Sequence, residues 1–133
     1  MIDFAKQIAN ESQNFSIIGL KGTLGAGKSF FARHFINALQ EKPSEILSPT
    51  FNLVYSYQTK KGEVFHFDLY RLKNADELEN IGFFESLRTG ICLIEWPEIA
   101  ADFLDKNYLE IEIKTAINFG EEAREVLIKN LRK

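Results

Sequence analysis

Cys92 is the only cysteine in the chain, so no internal disulfide can form. That fits a reducing compartment. It lies in the apolar run Ile91-Cys92-Leu93-Ile94, where a cysteine reads as a small buried hydrophobe rather than a nucleophile. Basic charge is also short. Sixteen Lys and Arg face nineteen Asp and Glu, giving a net charge of −3 and a pI near 5.4. A stand-alone nucleic-acid binder normally shows a basic domain, so any work near RNA would lean on a partner for positive surface. Lys129, Arg132 and Lys133 form the one basic tail and read as a solvated terminus. No window approaches the roughly 18 apolar residues of a membrane span. Asp3, Lys6, Asn10 and Glu11 break up the first residues, so no signal peptide is expected and a cytoplasmic location is.

What remains is an ordinary globular composition. Apolar residues make up 45% of 133, enough for one self-supporting core. A single domain over residues 1–133 is expected, without repeats or linkers. Residues 2–13 have Ile2, Ala5, Ile8 and Ala9 at helical spacing. Ser16 to Lys21 reads as a strand, and Lys28 to Gln40 as a helix burying Phe31, Phe35, Ala38 and Leu39. Leu53 to Tyr57 and Glu63 to Phe67 flank Lys60-Lys61-Gly62 and predict a hairpin. Residues 74–88 predict a helix broken at Gly82. Gly90 to Glu95 predicts a buried strand that ends in a carboxylate. A short helix is expected over residues 97–105, with Pro97 in its first turn. Tyr108 to Lys114 alternates as a strand does, and Arg124 to Lys129 predicts one more. The fold class expected is α/β, a mixed sheet with helices on its faces.

Between the first strand and the second helix stands Gly22-Thr23-Leu24-Gly25-Ala26-Gly27-Lys28-Ser29. This is the P-loop pattern G-x-x-x-x-G-K-[ST], in the strand–loop–helix context its mechanism requires. Glycines let the backbone wrap phosphate oxygens. The amides of Thr23 through Phe30 would form an anion nest backed by the helix N-terminus. Lys28 adds a full charge at the outer phosphates, and the Ser29 hydroxyl is a Mg²⁺ ligand. The site therefore points to a nucleoside triphosphate with Mg²⁺. ATP is preferred, because no N-K-x-D stretch follows a strand to read guanine.

Such a site also wants a carboxylate at the end of a neighbouring strand, since ligands of open α/β sheets sit beyond the strand C-termini. Glu95 and Asp68 are the two candidates. Asp68 also reads as a helix N-cap before Leu69-Tyr70. Thr50, after Pro49, can complete a Mg²⁺ shell in the manner of switch loops, or serve as a plain turn hydroxyl. His66 shares a strand face with Asp68 and reads as a half-buried, hydrogen-bonded histidine rather than a catalytic one. Trp96 packs beside the nucleotide or fills the core. A small-molecule kinase would need an acceptor pocket and an Arg-bearing lid. Arg71, Arg88 and Arg124 are scattered and fall in no lid insert.

Three blocks together resemble the TsaE (YjeE) family of small bacterial ATPases, needed for threonylcarbamoyladenosine in tRNA. They are Leu20 through Ser29; Ser48-Pro49-Thr50-Phe51 with Tyr55 and His66-Phe67-Asp68-Leu69-Tyr70-Arg71-Leu72; and Ile94-Glu95-Trp96-Pro97-Glu98. The resemblance spans about residues 2 to 115. It implies a compact P-loop domain in which Lys28 and Ser29 hold phosphate and Mg²⁺. Thr50 would be the switch residue near the metal, Glu95 the Walker B carboxylate, and Asp68 a further carboxylate near the γ-phosphate. It also implies weak ATPase activity alone, TsaD and TsaB as partners, and contact with tRNA through that complex. The threonylcarbamoyl transfer itself would belong to the partners. The chain departs from the family at its start, where Ala5-Lys6-Gln7 replaces a Thr-rich segment, and at its short basic end.

Overall fold

A computed structural model describes residues 2–11, 15–23, 27–42, 44–47, 49, 52–104, 108–115 and 124–130, with the backbone alone for 115, 124–127, 129 and 130. Its elements run in the order α1 (Ile2–Asn10), β1 (Ile17–Lys21), α2 (Lys28–Leu39), β2 (Val54–Thr59), β3 (Gly62–Asp68), α3 (Glu77–Asn80), α4 (Phe83–Thr89), β4 (Ile91–Glu95), a 3-10 helix (Pro97–Phe103), β5 (Tyr108–Thr115) and β6 (Arg124–Asn130). The six strands form one sheet in the order β2-β3-β4-β1-β5-β6. The four inner strands are mutually parallel, and β2 and β6 close the edges antiparallel. The expected mixed α/β architecture is what forms.

Alternation along the inner strands decides which layer each side chain joins. Ile18 and Leu20 of β1, Val64 of β3, Leu93 of β4 and Leu109, Ile111 and Ile113 of β5 pack with Phe31, Phe35 and Ile36 of α2 and Ala5 and Ile8 of α1. The residues between them face the other way. Ile17, Phe67, Cys92, Ile94 and Tyr108 pack with Leu78, Phe83 and Ala100 from α3, α4 and the 3-10 helix. Both faces of the sheet are covered, which is why β4 is buried at every position. Helices α1 and α2 meet through Phe4 and Phe31, ring centres 5.6 Å apart. Lys61, at the β2–β3 turn, donates to the last carbonyls of α1, Ala9 O at 3.1 Å and Asn10 O at 3.2 Å. A cation there complements the negative end of the helix.

The sequence-predicted break at Gly82 separates α3 from α4, with the glycine at φ +72°. The short helix expected after Pro97 is a 3-10 helix. Asp68 does not begin a helix. Its Oδ1 accepts the amide of Tyr70 at 3.1 Å in a turn that closes β3. Thus the side chain has the local bond of an N-cap without a helix to follow it.

Candidate functional site

Two connections diverge at β1. After β1 the chain crosses over α2 to reach β2 and β3 on one side of the sheet. After β4 it passes through the 3-10 helix to β5 on the other. The crevice at such a switch point, beyond the carboxyl ends of the strands, is where open α/β sheets hold ligands. Lys21, Glu95 and Asp68 are the last residues of β1, β4 and β3, and Asp68 lies level with Glu95 in the register. Backbone bonds tie the three strand ends together: Trp96 N to Leu20 O at 3.2 Å and Leu69 N to Glu95 O at 3.1 Å.

The glycine-rich loop leaves β1 through Gly22 at φ +149° and enters α2 through Gly27 at φ +114°. Both values lie where a side chain would clash, so the spacing of these two glycines is a backbone requirement. The first bond of α2 runs from Phe31 N to Gly27 O at 2.9 Å. The amides of Lys28, Ser29 and Phe30 come before it, in the first turn, where a helix leaves its N–H groups without an acceptor of its own. They give the helix a positive end that faces the strand termini.

Lys28 is the first residue of α2 and only 5% exposed. Its Nζ donates to the carbonyls of Gly22 at 2.7 Å and Thr23 at 2.9 Å. It also sits 4.3 Å from the centre of the Trp96 ring, an attractive arrangement for a partly desolvated cation. Burial pushes its pKa below the ordinary lysine value, and the carboxylates of Glu95, Asp68 and Glu98 oppose that shift in decreasing order. Trp96 reaches this position through a left-handed backbone, φ +58°, and Tyr70 lies on it at 4.8 Å between ring centres.

Glu95 is the centre of the site. Ser29 Oγ donates to both carboxylate oxygens, at 3.1 Å to Oε1 and 3.0 Å to Oε2. His66 Nε2 lies 2.6 Å from Oε2. Glu95, Asp68 and His66 are all buried, and all three project on the α2 face of the sheet. At the ends of β1 and β5, next to Trp96, opens a cavity of about 520 Å³ bordered by Lys21, Gly22, Thr23, Trp96, Glu112 and Lys114.

The structure thus brings Lys28, Ser29, Glu95 and Asp68 to one end of the sheet, as their sequence positions suggested. Leu24, Gly25, Ala26 and Thr50 lie outside the described residues. Phe30 belongs to the loop–helix junction by its backbone. Its ring is exposed and rests on His34, 4.4 Å between ring centres. Two features escaped the sequence. The partner of His66 is Glu95 on the next strand, although spacing had grouped it with Asp68. Trp96 packs against the Lys28 ammonium. Finding either requires knowing that β3, β4 and β1 are neighbours, which no local pattern encodes.

Comparison with known proteins agrees with this architecture. The family model described as "Threonylcarbamoyl adenosine biosynthesis protein TsaE" matches residues 1–126. The chain is 40% identical over 116 residues to the tRNA threonylcarbamoyladenosine biosynthesis protein TsaE of Rickettsia prowazekii, covering 87% of this chain and 81% of that one. It is 39% identical over 118 residues to the protein of the same name from Aquifex aeolicus, covering 82% and 84%. The crystal structure of Bacillus subtilis YdiB superposes with a TM-score of 0.67 at 28% identity, covering 98% of this chain and 81% of that one. With a family match over nearly its whole length and a P-loop type of α/β fold to carry it, this chain belongs to the TsaE family, whose role is in the biosynthesis of threonylcarbamoyladenosine in tRNA.

Proposed function

We propose that the chain binds ATP with Mg²⁺ and hydrolyses it slowly by itself, as the ATPase component of tRNA N6-threonylcarbamoyladenosine synthesis. The observation that carries this is the meeting of Lys28, Ser29 and Glu95 at the N-terminus of α2. The residues fit the ligand on chemical grounds. A helix N-terminus and a lysine ammonium are phosphate binders. A serine hydroxyl beside a carboxylate is a hard-oxygen set of the kind Mg²⁺ accepts, the rest of its shell coming from phosphates and water. Two buried carboxylates next to a polyphosphate site also call for a divalent cation, because otherwise like charges would crowd there.

In this reading the backbone of Thr23, Leu24, Gly25, Ala26, Gly27 and Phe30 surrounds the phosphates. Lys28 exchanges its carbonyl partners for phosphate oxygens. Ser29, Glu95 and Thr50 hold the metal, and Asp68 is a second carboxylate near the γ-phosphate. Bound Mg²⁺ supplies charge neutralisation at the outer phosphates. The cavity beside Trp96 receives the nucleoside. Phosphoryl transfer depends on positioning and charge stabilisation, so slow turnover follows if partners complete the arrangement. By family resemblance those partners are TsaD and TsaB, working in the cytoplasm, with tRNA reached through the complex and the transfer step left to them.

Calorimetry with ATP, GTP and Mg²⁺ on wild type, Lys28→Ala and Glu95→Ala tests the reading. ATP should bind the wild type, Lys28→Ala should bind at least about tenfold more weakly, and Glu95→Ala should lose hydrolysis more than binding. Adding TsaD and TsaB should tighten binding or raise hydrolysis. Intrinsic turnover above about 1 s⁻¹, or a Lys28→Ala protein that binds ATP normally, would overturn it.

A further inference from the structure

His66 stands in the middle of β3, between apolar neighbours, at a position where a buried strand would ordinarily carry a β-branched or aromatic residue. Its side chain is 1% exposed and that of Glu95 is 4% exposed. Their contact of 2.6 Å is the shortest Glu95 makes among its described partners, the Ser29 hydroxyl being 3.0 and 3.1 Å away. Nδ1 of the same ring is buried and has no hydrogen-bond partner among the described residues. The imidazole therefore makes one polar contact there, and that contact is to the carboxylate.

The tautomer follows from this asymmetry. A carboxylate accepts and does not donate. For the 2.6 Å contact to be a hydrogen bond to that carboxylate, Nε2 carries the proton.

We propose that His66 is a positioning residue: Nε2–H holds Oε2 of Glu95, fixing the carboxylate so that it and the Ser29 hydroxyl present oxygen to one cation. The Glu95 side chain ends a strand and could otherwise turn toward Lys28, whose charge draws it. With Oε2 held from the β3 side, the carboxylate stays directed at Ser29. Groups that hold a metal ligand in place typically change metal affinity by about 10- to 100-fold when removed. This inference rests on the Mg²⁺–ATP reading above.

The test is the Mg²⁺ dependence of ATP binding, measured by calorimetry on wild type, His66→Phe and His66→Gln. Phenylalanine fills the space without a donor. Glutamine places an amide N–H near the position of Nε2. The Mg²⁺ concentration for half-maximal tightening should rise about tenfold or more in His66→Phe. It should return to within about threefold of wild type in His66→Gln. A His66→Phe protein with the wild-type Mg²⁺ midpoint overturns the inference and leaves the ATP reading standing. A wild type whose ATP binding ignores Mg²⁺ overturns both.

A second measurement reads the wild-type ring directly. Long-range ¹H–¹⁵N spectra of the wild-type imidazoles should show His66 with its proton on Nε2. His66→Gln identifies the signal, since the chain has two histidines. A ring protonated on Nδ1 with Nε2 bare could not donate to Glu95 and would overturn the proposal by itself.

Discussion

Lys28 carries its charge into a space that water barely reaches. Its folded-state pKa is lowered by that burial, and the unfolded chain keeps the ordinary value. Between the two values the unfolded state binds more protons than the folded state. Stability contributed at this site therefore rises as pH rises through that window. Lys28→Met removes the titration and keeps the aliphatic stem. The difference in melting temperature, Lys28→Met minus wild type, should become smaller from pH 7 to pH 10. Thermal scans across that range check it, and a difference that widens with pH would show that burial does not dominate the Lys28 environment. At this scale much of the site was legible. Lys28 and Ser29 stood out because a phosphate loop is built from consecutive residues, and Glu95 because a carboxylate ends an apolar strand. The bonds from Glu95 to His66 and Ser29 were not legible. They join residues 29 and 66 positions apart, and only the strand order makes them neighbours.

Strand β1 shows why that order needs a particular residue as well as a pattern. Gly19 lies across from Glu110 of β5, and the Tyr108 ring folds over it. A Cβ at Gly19 would fall against the Tyr108 hydroxyl oxygen and 2.7 Å from the nearest carbon of its ring. Tyr108 Oη donates to Glu110 at 3.4 Å, and Lys21 pairs with Glu110 at 3.2 Å, so this packing reaches the end of β1 where the glycine-rich loop begins. Gly19→Ala should destabilise the fold by about 1–3 kcal/mol, the usual range for an overpacked core. Tyr108→Ala should recover part of that loss when added to Gly19→Ala. Urea unfolding of the two single variants and the double variant measures the coupling, and strictly additive losses would exclude the contact as the cause. The strand itself was legible from its apolar centre. The reason for its glycine was not, because Tyr108 arrives from a strand nearly ninety positions later. The same limit applied to the sheet. Elements were set by local period and by breakers such as Gly82, and their neighbours by crossovers that leave no local mark.

The whole molecule carries a net charge of −3, and it belongs to a family that serves tRNA modification. Phosphate backbones are bound chiefly through clustered Lys and Arg. At physiological salt the isolated chain should leave the mobility of tRNA unchanged up to about 10 µM, a range in which non-specific binders begin to act. Gel retardation of the chain alone, and then with the proposed partners TsaD and TsaB, checks whether positive surface comes from them. Clear retardation by the chain alone would contradict the indirect route. One buried atom offers another view of the molecule as a whole. Cys92 lies on β4, within the sheet, and burial pushes its thiol up to about 12. Thiolate is the form that reacts with alkylating reagents, so in the folded protein this sulfur is both hidden and protonated. Alkylation must then wait for the middle of the sheet to come apart. The native sequence thus contains its own timer for global opening, and the pace of sulfur modification, with and without nucleotide, counts how often the closed molecule lets go.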